Sequence, residues 1–131
     1  MKIAADTNIL VRSMVQDDVE QAKQSARVLR SAEIIAISLA CLCEIVWVLR
    51  RVYKFQREDI ATALEGLLNA SNVVANREAA SFGIQVLRAG GDFADGVIAW
   101  EGQWLGGETF VSFDQKAVAL LTAAGERAKL L

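Results

Sequence analysis

The chain has 131 residues of which 53% are hydrophobic, enough for one sizeable core and too few for two ordinary domains. With 14 basic and 16 acidic side chains the formal net charge is -2, so the molecule as a whole is no polyanion binder, and any contact with nucleic acid has to be local. There is no histidine, which removes the commonest general base and the commonest zinc ligand together and leaves acid chemistry to carboxylates.

The start, MKIAADTNIL, lacks the apolar core and cleavage site of a signal peptide. Within it Lys2 to Ala5 reads as a short buried strand. From Asp17 to Ser31, Val19, Ala22, Ala26 and Leu29 recur at helical spacing. Glu33 to Ser38 is an isoleucine-rich strand, and a helix follows from Leu39 to Tyr53. Between Ile34 and Leu49 every side chain is apolar or small except Ser38 and one acid, Glu44. That run is shorter than the ~20 residues of a membrane-spanning helix and carries a charge near its middle, so a cytoplasmic protein with no membrane segment is expected. Cys41 and Cys43, two apart on this helix, point to different faces and read as reduced thiols.

Two further helices are expected at Arg57 to Asn69 and Glu78 to Arg88, with Val73-Val74 between them too short to assign. Gly90-Gly91 ends the second. "DFADGVIAWEGQWL" is a helix with Asp92 and Asp95 in its first turn, closed by Gly106-Gly107. Trp100 and Trp104 share one of its faces, where core or dimer packing is the simplest reading. Thr109 to Ser112 is a strand, Asp114 to Ala124 a helix, and Ala128 to Leu131 a last short strand. No proline, linker or repeat marks a domain boundary. The alternation predicts one α/β domain over residues 1–131: a three-layer α/β/α sandwich with a mainly parallel sheet of four or five strands.

In open parallel sheets ligands bind beyond the carboxyl ends of the strands. Asp6 and Asp114 directly follow predicted strands, and Glu44 and Asp95 lie early in helices that begin at the same rim, so the four acids are expected to meet there. Each also has a plain structural reading. Asp6, Asp92 and Asp114 suit helix caps, and Asp95 three residues after Asp92 suits the helix dipole. Glu44 resists such a reading, because an unpaired buried carboxylate costs several kcal/mol; an ion pair with Arg12 or Arg50 is its structural alternative. Clustered carboxylates repel one another, and a divalent cation removes that penalty. Mg²⁺ takes oxygen ligands and keeps waters, Mn²⁺ accepts a similar set, and either can activate water for attack on a phosphoryl group.

Four motifs in order, "DTNIL" at Asp6, "CLCEIVWVL" around Glu44, "DGVIA" from Asp95 and "VSFDQKA" around Asp114, resemble the PIN domain, and most closely the toxin component of VapBC-type toxin-antitoxin pairs. The resemblance covers the whole chain. It implies a ribonuclease dependent on Mg²⁺ or Mn²⁺, in which Asp6, Glu44 and Asp95 match the three acidic positions and Asp114 the fourth. Thr7, Asn8 and Ser112 match the small polar positions beside them. "DxxIA" spacing selects Asp95 over Asp92 as ligand, leaving Asp92 as a cap or outer group. The family further implies a homodimer and a small antitoxin whose C-terminal segment covers the active-site groove.

For RNA to approach an acidic protein, Arg12 and Lys116, with Arg50, Arg51, Lys54 and Arg57, are candidate phosphate contacts. Their plain reading is solvated helix surface. Two other functions compete. A non-catalytic PIN-like scaffold binding RNA or protein would not need the four acids intact. An aspartyl-phosphate enzyme would need acidic and basic partners for its nucleophile, and after Asp6 the next acid is Asp17.

Overall fold

The segment 34–36, with two β-branched isoleucines of which Ile35 is buried, forms the middle strand of a parallel sheet. The computed structural model describes residues 1–131 and divides at residue 76 into two compact units. The first contains β1 (Lys2–Ala4), α1 (Thr7–Met14), α2 (Val19–Ser31), β2 (Ile34–Ala36), α3 (Leu39–Arg51), α4 (Arg57–Leu68) and β3 (Val73–Val74). The second contains α5 (Arg77–Arg88), α6 (Phe93–Trp104), β4 (Phe110–Ser112), α7 (Gln115–Ala123) and β5 (Ala128–Leu130).

In the first unit the order is β1-β2-β3, all parallel, with Lys2 opposite Ile34 and Ile35 opposite Val73. Leu10 of α1, Leu42, Ile45 and Leu49 of α3, and Ile60 and Leu64 of α4 are fully buried. Each such side chain contributes about 1.5–3 kcal/mol of transfer free energy. The i, i+3, i+4, i+7 spacing of Leu42, Ile45 and Leu49 with Val46 gives α3 one wide inward face. Asn72 secures the approach to β3: its amide nitrogen donates to the carbonyls of Leu29 and Ala32, each at 3.0 Å.

In the second unit α5 and α6 meet at glycines. A Cβ built on Gly96 would lie 2.9 Å from the Cα of Gly83, and one on Gly83 would lie 2.8 Å from the ring of Phe93. The fully buried Phe93 fills the space that Gly83 leaves, and the first turn of α6 is thereby pressed onto α5. Val86, Ala99 and Leu121 form a second core, with Phe82, Phe110 and Ala128 against it. β4 and β5 pair in parallel, Phe110 opposite Ala128.

The alternation of strands and helices and the parallel pairing agree with expectation, but the expected single sheet of four or five strands is two sheets, of three and two strands. Alternation dictates crossover connections. It does not dictate which edge receives each new strand, because edge pairing is made by backbone groups that every sequence shares. The eight-residue α1 was not anticipated, and the undecided Val73-Val74 pair is the strand β3. Trp100 and Trp104 make a tilted ring contact with centroids 5.6 Å apart, but Trp104 is 73% exposed and so forms no part of the core. No helix is long and apolar enough to cross a membrane.

Gly96→Ala should cost about 1–3 kcal/mol, because the methyl group meets backbone across the α5–α6 contact. Gly66→Ala, in the middle of α4 with nothing within 4 Å, should instead stabilise by up to about 1 kcal/mol. Urea unfolding of the two variants against wild type checks both signs.

Candidate functional site

Asp6 occupies the N-cap position of α1 with an extended backbone, yet its carboxylate makes no capping hydrogen bond. The other aspartate caps behave differently. Asp18 accepts from the Gln21 N–H, Asp92 from Ala94 and Asp114 from Ala117. The residue beside Asp6 fixes it instead: the buried Thr7 hydroxyl donates to the Cys41 sulfur at 3.6 Å, and the Cys41 thiol donates to the Ala5 carbonyl at 3.7 Å. Ser38 accepts from the Cys41 N–H at 3.1 Å and caps α3. Cys41 is thus held at both sulfur and nitrogen, and Glu44 stands three residues further along the same helix.

Burial pushes the Cys41 thiol up; the hydrogen bond from Thr7 opposes this, and the negative charges of Glu44 and Asp6 add to it. Both carboxylates therefore lie within electrostatic reach of one sulfur. Neither cysteine is in a disulfide. Asn8 is exposed beside Thr7.

Glu44 itself corrects an expectation. It is exposed, on the outer strip of α3 with Trp47 and Arg51, and no ion pair with Arg12 or Arg50 forms. The apolar run is in fact a strand, a turn and a helix, and Glu44 falls on the one side of that helix that the core does not use. Burial therefore imposes no penalty on its charge.

In the second unit Asp92 caps α6 and Asp95 sits in its first turn, half-buried, three residues beyond the cap. Burial raises the Asp95 carboxyl above the usual carboxylate range, and the charges of Asp92 and Asp114 raise it further. Ser112 accepts from the Asp114 N–H at 2.9 Å, which shapes the turn out of β4 and sets Asp114 at the head of α7. The Lys116 side chain reaches toward Gly90, its ammonium 3.9 Å from where a Cβ would stand.

The charges of Asp6 and Glu44 are felt at Cys41 in the first unit, and those of Asp92 and Asp114 at Asp95 in the second. Nowhere do three or more such side chains close in far enough to hold a metal ion by themselves. Asp6, Glu44 and Asp95 have carboxylates that make no hydrogen bond or ion pair, whereas Asp92 and Asp114 each spend an oxygen on a cap.

Arg12 has a structural occupation. Its Nε donates to Gln21 Oε1 at 2.7 Å and its Nη1 to Asp17 at 3.0 Å and to the Tyr53 hydroxyl at 3.0 Å, while that hydroxyl donates to Asp17 at 2.9 Å. The hydrogen bond to Tyr53, with the charge of Asp17, raises the Arg12 guanidinium, and the same hydroxyl lowers the Asp17 carboxyl. This brace joins α1, the start of α2 and the turn after α3. Sequence reading missed it; Tyr53, the chain's one tyrosine, ending an apolar helix, was the available signal.

No family model and no curated protein matches the chain.

Because the folded state binds the Asp95 proton more tightly than the unfolded chain does, stability falls as pH rises from the ordinary carboxylate range through the raised value. Asp95→Asn should accordingly raise the melting temperature at pH 7 in metal-free buffer, with the gain vanishing at a pH low enough to protonate wild-type Asp95. Calorimetry of both proteins from pH 3 to 7 measures it.

Proposed function

We propose that the chain is a metal-dependent endoribonuclease of the PIN type, the toxin of a toxin-antitoxin pair. The reading is supported by Asp6, Glu44 and Asp95, whose carboxylates make no hydrogen bond or ion pair in the fold, Asp6 although it stands at a helix N-cap. They are the residues that match the three acidic positions of the family. The finer architecture, a PIN-like sandwich, belongs to the same proposal, as do the homodimer, the antitoxin partner and a cytoplasmic location.

The donor set fits a hard divalent cation. It is all oxygen, and Mg²⁺ needs only one or two direct carboxylates and fills its remaining positions with water, so a site lacking three converging acids is compatible with it. When bound, Mg²⁺ or Mn²⁺ supplies an activated water and neutralises charge on the scissile phosphodiester. Asp6 and Glu44 of the first unit would hold the cation, and the resemblance gives Asp95 of the second unit the same role. Asp114 and Ser112 hold the turn at the head of α7, and Thr7 keeps Asp6 in register with α3.

The alternative is a PIN-like scaffold that binds RNA or protein without cutting.

Cleavage of a panel of structured RNAs with Mg²⁺, Mn²⁺ or EDTA separates the two. Metal-dependent cutting is expected, with Asp6→Asn and Glu44→Gln each losing at least about a hundredfold in kcat/KM, more than supporting groups around a metal cost. Both variants should keep wild-type stability within about 0.5 kcal/mol, since neither carboxylate has a partner in the fold. Cutting that survives both substitutions sinks the site, and metal binding without cleavage supports the scaffold.

A further inference from the structure

The helix α3 ends in a way that no other helix of the chain does. Gly90, Gly106 and Gly125 adopt positive φ in the turns after α5, α6 and α7, where glycine avoids the steric penalty of a Cβ. After α3 the left-handed position is held by Lys54, at φ 60°, the one residue other than glycine with positive φ. The Phe55 N–H donates back to the Leu49 carbonyl at 2.9 Å, a turn one residue wider than those after α5, α6 and α7. A lysine there is strained where glycine would be relaxed, and backbone strain of this kind gathers at functional positions.

Lys54 does not stand alone. With Arg50, Arg51, Phe55 and Gln56 it lines an open recess of about 460 Å³, within the size range of ligand pockets. Arg50, Arg51 and Lys54 have no carboxylate partner. Cations near a helix C-terminus complement the helix dipole, and that alone explains Arg50 and Arg51. It explains neither a lysine in a glycine position nor Trp47, one turn before Arg51 on the same face and 58% exposed. Glu44, Trp47 and Arg51 follow one another along this face at i, i+3 and i+7, spanning about 10 Å.

We infer that the outer face of α3 is a track for single-stranded RNA, with a base stacked on Trp47 and the adjoining phosphate in the Arg50–Arg51–Lys54 recess. An aromatic face beside unpaired cations is how strands are held without regard to sequence. The anionic phosphate complements a recess that holds three cations and no acid. The inference rests on the ribonuclease reading for its choice of RNA, and places the strand on the helix that carries Glu44.

The test measures binding of a fluorescent ten-uridine RNA by anisotropy in EDTA, where no metal-dependent cleavage occurs. Trp47→Ala should weaken binding by about 5- to 150-fold, and Trp47→Phe should retain most of it. Lys54→Gly should raise the melting temperature, weaken binding, and reduce the slope of log K against log salt by about 0.7, the loss of one phosphate contact. Circular dichroism confirms that each variant is folded. Wild-type affinity in both Trp47→Ala and Lys54→Gly overturns the track, as does failure of the RNA to bind, or equal binding of a ten-glutamate peptide that ignores Trp47. Binding with these sensitivities but no cleavage in metal overturns only the ribonuclease reading.

Discussion

The hydrogen-bonded path from Thr7 to the Cys41 sulfur to the Ala5 carbonyl ties the end of β1 and the start of α1 to the first turn of α3. Each link is weak, since sulfur is a poor donor and acceptor. Their joint effect is geometric. With Ser38 capping the same helix turn, rotation of α3 about its axis is closed off, so the inward face of Leu42, Ile45 and Leu49 and the outward strip of Glu44, Trp47 and Arg51 are both determined. The placement of Asp6 relative to Glu44 follows from it.

A division of labour among the acids runs through both units. Asp18, Asp92 and Asp114 sit at N-caps and use an oxygen there; Asp6 sits at an N-cap and does not. Asp17 is absorbed by Arg12 and Tyr53. Asp6, Glu44 and Asp95 make no hydrogen bond or ion pair, a property they share with exposed acids such as Glu20 and Glu101; Asp6 differs in leaving an N-cap position unused. Burial raises the Asp95 carboxyl, the charges of Asp92 and Asp114 add to it, and the close approach of Gly83 and Gly96 fixes its helix in place.

Much of this was legible in the residues. The helices α2 to α7 were readable from periodicity and capping residues, and Asp92 as a cap with Asp95 three places on is found as the spacing implied. α1 was not, because eight residues holding only Leu10 and Val11 as buried apolar side chains show too little periodicity. The strand count was readable but its division between two sheets was not, since pairing edges carry no side-chain signature. Glu44 was misplaced for an instructive reason: hydrophobicity in a run says little about the narrow outer strip of a helix, where one charge sits at no cost. Arg12 was read as a phosphate contact or a partner for Glu44, because its actual partners Asp17, Gln21 and Tyr53 lie 5, 9 and 41 residues away.

The registers of the strands bear on how the chain acquires its shape. Phe110 and Ala128 are separated by 18 residues, Lys2 and Ile34 by 32, and Ile35 and Val73 by 38. Closing a loop half as long saves about 0.6 kcal/mol of chain entropy, close to a threefold advantage in encounter probability. The carboxyl-terminal pair is thus the easiest to bring into register during folding. During synthesis the longer-range sheet emerges first, and the order in which the two sheets assemble depends on whether the chain folds as it leaves the ribosome or after release.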